Sequence, residues 1–248
     1  MRLREKSGII TGASSGIGEA AARLFVQEGG RVVISARRGD RLEALAEDLG
    51  RDRVCCVVGD VADEAVHKRL VDVCLAEFGA LDFAFNNAGM VGPGVPLVET
   101  TVTDWQTVMS TNLTSCYFAA KYQLPAMTEA SKGSIVFTSS FVGHTVGLPG
   151  MAAYAASKAG INGLVQVLAA EVGANGVRVN ALLPGGTLTE MAGDDEGFHE
   201  FVRGLHALKR IADPEEIARA ALFLCSDEAS FVTGSAMLAD GGNSICKT

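Results

Sequence analysis

Tyr154 and Lys158 lie four residues apart at the end of the stretch Gly133 to Lys158, GSIVFTSSFVGHTVGLPGMAAYAASK. On a helix that spacing puts both side chains on one face, about 5–6 Å apart at Cβ. A lysine ammonium beside a phenol favours the phenolate and lowers a pKa that starts at about 10. Ser139 and Ser140 follow the run Ser134 to Thr138, which reads as a buried strand. Either hydroxyl, at the strand's carboxyl end, can hydrogen-bond an oxygen that meets the phenol. The set suits proton exchange with a carbonyl or hydroxyl oxygen. Redox chemistry there also needs a hydride carrier, and the rest of the chain must supply its seat.

The first candidate seat is TGASSGIG, Thr11 to Gly18, between a short strand (Ser7 to Thr11) and an Ala-rich helix reaching about Glu28. Gly12, Gly16 and Gly18 allow a tight turn and let backbone N–H groups approach a pyrophosphate at a helix N-terminus. The second strand, Arg31 to Ala36, ends without the carboxylate that would accept ribose hydroxyls. Arg37 and Arg38 stand there instead, with Arg41 close behind. These arginines read as a 2′-phosphate pocket and hence NADP(H), with NAD(H) as the alternative. The plainer reading is a solvated turn whose arginines pair with Glu43 or Glu47. Asp60, after the third strand Val54 to Val58, can accept from an adenine amino group or serve the helix that starts near Asp63. A fourth strand, Asp82 to Asn86, leads into NNAG, where Gly89 permits close approach, and then into the Gly/Pro-rich loop Met90 to Pro96.

The remaining elements must hold these groups in place. A long helix is expected from about Val102 to Met127, with Pro125 near its end and Asn112 as a polar residue in its apolar stripe. The helix from Ala152 to about Ala174 is apolar nearly all round, so one face should pack on the sheet and the other on a second subunit. A sixth strand, Val177 to Leu183, runs into PGGTLT, where Thr187 and Thr189 can hydrogen-bond a carboxamide. Residues 190–208 read as an amphipathic flap over a pocket or as a plain surface helix. Asp213 and Pro214 open a helix to about Cys225, and a last strand, Ser235 to Leu238, precedes ADGG. The β-α alternation runs without a linker or composition break. The expectation is an α/β fold: one Rossmann-type domain over residues 1–248, a doubly wound parallel sheet with helices on both faces.

Composition narrows the partners. The net charge of -8 argues against nucleic acid or an anionic membrane surface. No apolar run approaches about 18 residues, and the N-terminus lacks a signal-peptide apolar region. The six cysteines (Cys55, Cys56, Cys74, Cys116, Cys225, Cys246) form no C-x-x-C pair and read as reduced thiols of a cytoplasmic protein. The four histidines show no metal-ligand spacing.

Taken together, TGASSGIG, Asp60, NNAG, Asn112, Ser140, YAASK at Tyr154, PGGTLT at Pro184 and DGG at Asp240 resemble the short-chain dehydrogenase/reductase family, in its single-domain branch of about 250 residues. The resemblance covers essentially the whole chain. It implies that Tyr154 is the acid of carbonyl reduction or the base of alcohol oxidation. Lys158 would lower its pKa and hold the nicotinamide ribose, Ser140 would orient and polarise the carbonyl, and Asn112 would support a water-linked proton relay to Lys158. It implies cofactor contacts from Gly12, Ser14, Ser15, Gly16, Ile17, Gly18, Arg37, Arg38, Asp60, Val61, Asn87, Ala88, Gly89, Tyr154, Lys158, Pro184, Gly185, Thr187 and Thr189. Two features depart from the pattern. The loop from Ser140 to Tyr154 is one residue longer than the commonest family spacing. Ser15 also stands where NADP-preferring members often carry a basic residue, so the NADP(H) reading rests on Arg37 and Arg38. The implied partners are a small carbonyl or alcohol substrate and, as is common in the family, three further copies in a homotetramer. Phe141, Val142, Leu148, Met151, Met191, Phe198 and Phe201 are expected to line an apolar pocket. The competing readings are an NAD(H)-dependent alcohol dehydrogenase using the same site and a non-catalytic NADP(H)-binding redox sensor.

Overall fold

The computed structural model describes residues 1–246. Its strands are β1 (Ser7–Thr11), β2 (Arg31–Ala36), β3 (Val54–Val58), β4 (Phe83–Asn86), β5 (Gly133–Thr138), β6 (Val177–Pro184) and β7 (Ala236–Ala239). The helices between them are α1 (Gly16–Gln27), α2 (Gly39–Leu49), α3 (Glu64–Phe78), α4 (Val102–Met109), α5 (Ser115–Glu129), α6 (Ala152–Val172), α7 (Glu196–Leu205) and α8 (Pro214–Cys225). One sheet runs in the order β3-β2-β1-β4-β5-β6-β7, with all neighbours parallel. This is a Rossmann-type α/β fold.

Side-chain alternation along the strands builds two cores. Ile10 and Ile34, paired in register, face α1, α2 and α8, while Ile9 and Val33, one residue earlier, face α3, α5 and α6. All four are fully buried, and burying each such side chain contributes about 1.5–3 kcal/mol. Phe25 of α1 meets Phe83 of β4 edge to face, with centroids 5.5 Å apart. Because every strand is parallel, all carboxyl ends emerge on one edge. The chain reverses its direction of sheet building between β1 and β4, and this opens a crevice at their carboxyl ends, where ligands bind in open α/β sheets.

Three elements differ from the sequence expectation. The arginine-rich stretch after β2 is a turn only to Arg38, and α2 begins at Gly39 and buries Leu42, Leu45 and Ala46. The helix expected from Val102 to Met127 is two helices joined by a π-turn, Ser110–Thr114, with Asn112 buried in it. Pro125 does not end α5, which continues to Glu129. A proline inside a helix costs about 3 kcal/mol, and the fully buried Met127 beyond it offsets that cost.

Candidate active site

Strand β5 delivers Ser139 and Ser140 to the carboxyl edge, and the two hydroxyls do different work. Ser139 Oγ is buried and donates to the backbone carbonyl of Lys158 at 2.8 Å, tying the strand end to the first turns of α6. Ser140 Oγ accepts from Val142 N at 3.1 Å and lies near enough to the Tyr154 phenol to act on its ionisation. Lys158 is buried, its Nζ donating to Thr138 O at 2.7 Å and standing 5.6 Å from the centroid of the Tyr154 ring. The electrostatics differ from the sequence expectation in one respect. Burial pushes the Tyr154 phenol above its ordinary value, and the neighbouring Ser140 hydroxyl only partly opposes it. Burial also lowers the Lys158 amine to about 8. Desolvation acts against the charged form of each group.

Asn112 lies beside this pair, and its amide is committed to backbone and side-chain partners. Oδ1 accepts from Met90 N at 2.8 Å, while Nδ2 donates to Met90 O at 2.9 Å and to Ser157 Oγ at 3.0 Å. It therefore joins the π-turn to the loop after β4 and to α6. A Cβ placed on Gly89 would stand 3.3 Å from both Asn112 Oδ1 and Lys158 Nζ, so a side chain there would press on both groups.

The glycine loop lies across the crevice. A Cβ on Gly18 would stand 2.2 Å from the carbonyl oxygen of Gly12, so α1 can begin this close to β1 only with glycine there. Ser14, Ser15, Gly16 and Ile17 form the turn and the first residues of α1. Thr11, the end of β1 and the first residue of TGASSGIG, braces the neighbouring strand: its Oγ1 accepts from Asn87 N at 3.0 Å and Ala88 N at 3.2 Å. Asn87 Oδ1 in turn accepts from Thr138 Oγ1 at 3.2 Å. The arginines separate in function. Arg38 folds back onto the loop, donating to Ser14 Oγ at 3.0 Å and Ser15 Oγ at 2.8 Å. Arg37 points to solvent with Asp60 4.0 Å away. Neither they nor Arg41 pair with Glu43 or Glu47, which Arg51 takes. Arg38 and Arg41 share Glu190 instead, a carboxylate 149 residues beyond Arg41 that no local sequence signal singles out. Asp60 closes its own turn, with Oδ1 accepting from Ala62 N at 2.9 Å, while Asp63 caps α3 and Val61 is buried.

Pro184 ends β6, and Gly185 N donates to Ala239 O. Thr187 is buried with its hydroxyl on Gly185 O, and Thr189 packs its methyl toward Gly16. His206 is a second residue without a sequence signal. Buried, it accepts from Gly186 N at Nε2 (3.0 Å) and donates from Nδ1 to Val202 O (2.7 Å). That bond pattern requires the neutral ring. The staple joins the loop after β6 to the end of α7, a helix with no buried residue, on which Phe198 and Phe201 stand half exposed. Of the apolar residues expected to line a pocket, Phe141 and Val142, on the loop after β5, are buried, while Met191, Phe198 and Phe201 are exposed. Thr145, on the same loop, meets Ser244, hydroxyl to hydroxyl, at 2.6 Å.

The edge thus joins a tyrosine–lysine–serine cluster to a glycine loop shaped for a dinucleotide. A family profile described as enoyl-(acyl carrier protein) reductase matches residues 12–244. The chain is 40% identical over 245 residues to a 2,5-dichloro-2,5-cyclohexadiene-1,4-diol dehydrogenase of Sphingobium indicum, with 97% of each chain covered. It is 42% identical over 255 residues to tropinone reductase-like 2 of Erythroxylum coca, covering 98% of this chain and 92% of that one. The crystal structure of levodione reductase superposes with a TM-score of 0.94 at 32% identity, covering 99% of this chain and 100% of the other. The chain belongs to the short-chain dehydrogenase/reductase family. It is an enzyme of that oxidoreductase family, which interconverts carbonyls and alcohols with NAD(H) or NADP(H).

Proposed function

We propose that the protein is an NADP(H)-dependent oxidoreductase that interconverts a ketone and a secondary alcohol on a small ring substrate, with Tyr154 as acid and base. The observation that carries this reading is the Tyr154 phenol gathered with Ser140 and the buried Lys158 at the sheet edge that also bears the glycine loop. The ring substrate follows from the diol dehydrogenase, whose name specifies a cyclohexadiene diol. The half-exposed Phe198, Phe201 and Met191 offer such a ring an apolar cover, and residues 190–208 are its flap.

The residues fit a nicotinamide dinucleotide. The opening of α1 at Gly16 presents backbone N–H groups and a positive dipole end to a pyrophosphate, and Arg38, Ser14 and Ser15 gather donors where a 2′-phosphate would lie. Asp60 and Val61 would hold the adenine, Asn87, Ala88 and Gly89 the ribose side, and Pro184, Gly185, Thr187 and Thr189 the carboxamide. When bound, the nicotinamide supplies the hydride of reduction and takes the hydride of oxidation. The chain handles the proton. In reduction Tyr154 Oη gives its proton to the carbonyl oxygen while Ser140 Oγ donates a hydrogen bond to the same oxygen. The phenolate left behind is stabilised by the Lys158 ammonium, and Asn112 keeps the β4 loop and α6 in register around the pair.

Tyr154→Phe removes the transferable proton and little else. NADPH-coupled turnover should fall by about 10²–10⁴-fold or more, with NADPH affinity within about twofold of wild type by fluorescence titration. Undiminished turnover would sink the assignment.

A further inference from the structure

Glu190 holds the most constrained exposed carboxylate in the site. It opens the segment after Thr189, in a single 3₁₀ turn, Glu190–Ala192, and reaches back across the crevice to the arginines after β2. Oε2 accepts from Arg38 Nη1 at 2.7 Å and Oε1 from Arg41 Nη1. The same Arg38 guanidinium spends its other donors on Ser14 and Ser15 of the glycine loop. A carboxylate bridging two guanidinium groups has the geometry that a phosphate would adopt with the same pair. The hydrogen bonds from Arg41 and Arg38 hold its carboxyl at about 2, so it is ionised throughout the physiological range.

We infer that Glu190 is an internal stand-in for the cofactor's 2′-phosphate: its carboxylate occupies Arg38 and Arg41 in the nucleotide-free protein and must be displaced when the phosphate enters. The inference rests on the reading of Arg38 as a 2′-phosphate ligand. A phosphate monoester brings about 1.5–2 negative charges at pH 7, and these are repelled by Glu190 for as long as it stays on the arginines. A nucleotide with a free 2′-hydroxyl meets no such conflict. Glu190 therefore weakens NADP(H) selectively and narrows the preference that the arginines create. Because Glu190 is also the first residue of the 190–208 segment, the phosphate that displaces it frees the near end of the proposed flap. The far end stays fixed through His206 and Gly186.

The test titrates the full-length protein with adenosine 2′,5′-bisphosphate and with 5′-AMP, which differ in the 2′-phosphate, using wild type, Glu190→Gln, Glu190→Ala and Arg38→Ala. Both Glu190 variants should bind the bisphosphate roughly threefold to tenfold more tightly and 5′-AMP within about twofold of wild type. The gain should shrink in about 0.5 M salt, where exposed charges are screened. Arg38→Ala should lose about tenfold or more on the bisphosphate alone. If Arg38→Ala shows that loss but the Glu190 variants bind the bisphosphate no better, or gain equally on both nucleotides, the phosphate pocket stands and the competition is refuted. If Arg38→Ala binds the bisphosphate as wild type does, the pocket and the competition fall together.

Discussion

Lys158 is an amine lowered to about 8 beside a phenol raised above its ordinary value, both by burial. At neutral pH Tyr154 therefore carries its proton, which is the form that reduces a ketone. Alcohol oxidation needs the phenolate, so its rate should climb with pH while reduction holds level and then declines. Lys158 Nζ stands 5.6 Å from the centroid of the phenol ring and, at about 8, is charged below that pH and neutral where the phenol itself ionises. Its ammonium therefore supports the developing phenolate only below about pH 8, so Lys158→Met, measured at saturating cofactor, should lose about tenfold in turnover at neutral pH and progressively less as the pH rises past that point. A loss independent of pH would remove the lysine from any electrostatic role. The pairing of these two residues was legible from their spacing, but the sign of the phenol's shift was not. Spacing reports a neighbour, whereas desolvation depends on the cover that distant segments supply. The same gap hides exposure: Phe141 and Val142 are buried, while Phe198 and Phe201, equally apolar in sequence, stand half exposed.

Between helices and strands, Asn112 acts as a joint. Its amide spans Met90 and Ser157, so Asn112→Ala would leave the Met90 peptide N–H and C=O without partners in a partly buried place. The expected cost is about 1–3 kcal/mol, read by urea unfolding, with a loss of turnover larger than the loss of cofactor affinity. Stability and turnover both equal to wild type would show the joint to be dispensable. The strands Ser7–Thr11, Arg31–Ala36 and Val54–Val58 were legible to the residue because each is a short apolar run closed by a turn signal. The π-turn was hidden: one hydrophobic stripe continues through α4 and α5, and the interruption comes from partners on the β4 loop and α6. α2 was hidden by Arg37 and Arg38 before it and Arg41 in its first turn, whose charge suggested a turn while Leu42, Leu45 and Ala46 carried the packing face. Thr11 and His206 act through backbone groups of other segments, a role that leaves no mark in local sequence.

At the scale of the molecule, α6 turns Ala156, Ala159, Gly163 and Val167 outward, a flat face of mainly small side chains. Across the sheet, β7 is an edge strand with Leu238 exposed, and Phe231 and Ile245 stand in solvent near it. Small residues let helices approach closely, and an edge strand offers unpaired backbone groups. These two faces fit a homotetramer, and light scattering at micromolar concentration should give about four times the 25.8 kDa of the chain; a monomer would count against it. Charge and composition restricted the partners early, but only the folded chain shows which faces are left uncovered. The single direction of the sheet also bears on recombination with relatives. Every connection from a helix back to a strand, at 28–30, 50–53, 79–82, 130–132, 173–176 and 226–235, lies on the amino edge, away from the site. A crossover placed in one of these turns would transfer a strand, its edge loop and the following helix as one cassette. Chimeras could then exchange substrate-selecting loops while the joints of the chimera stay remote from the chemistry.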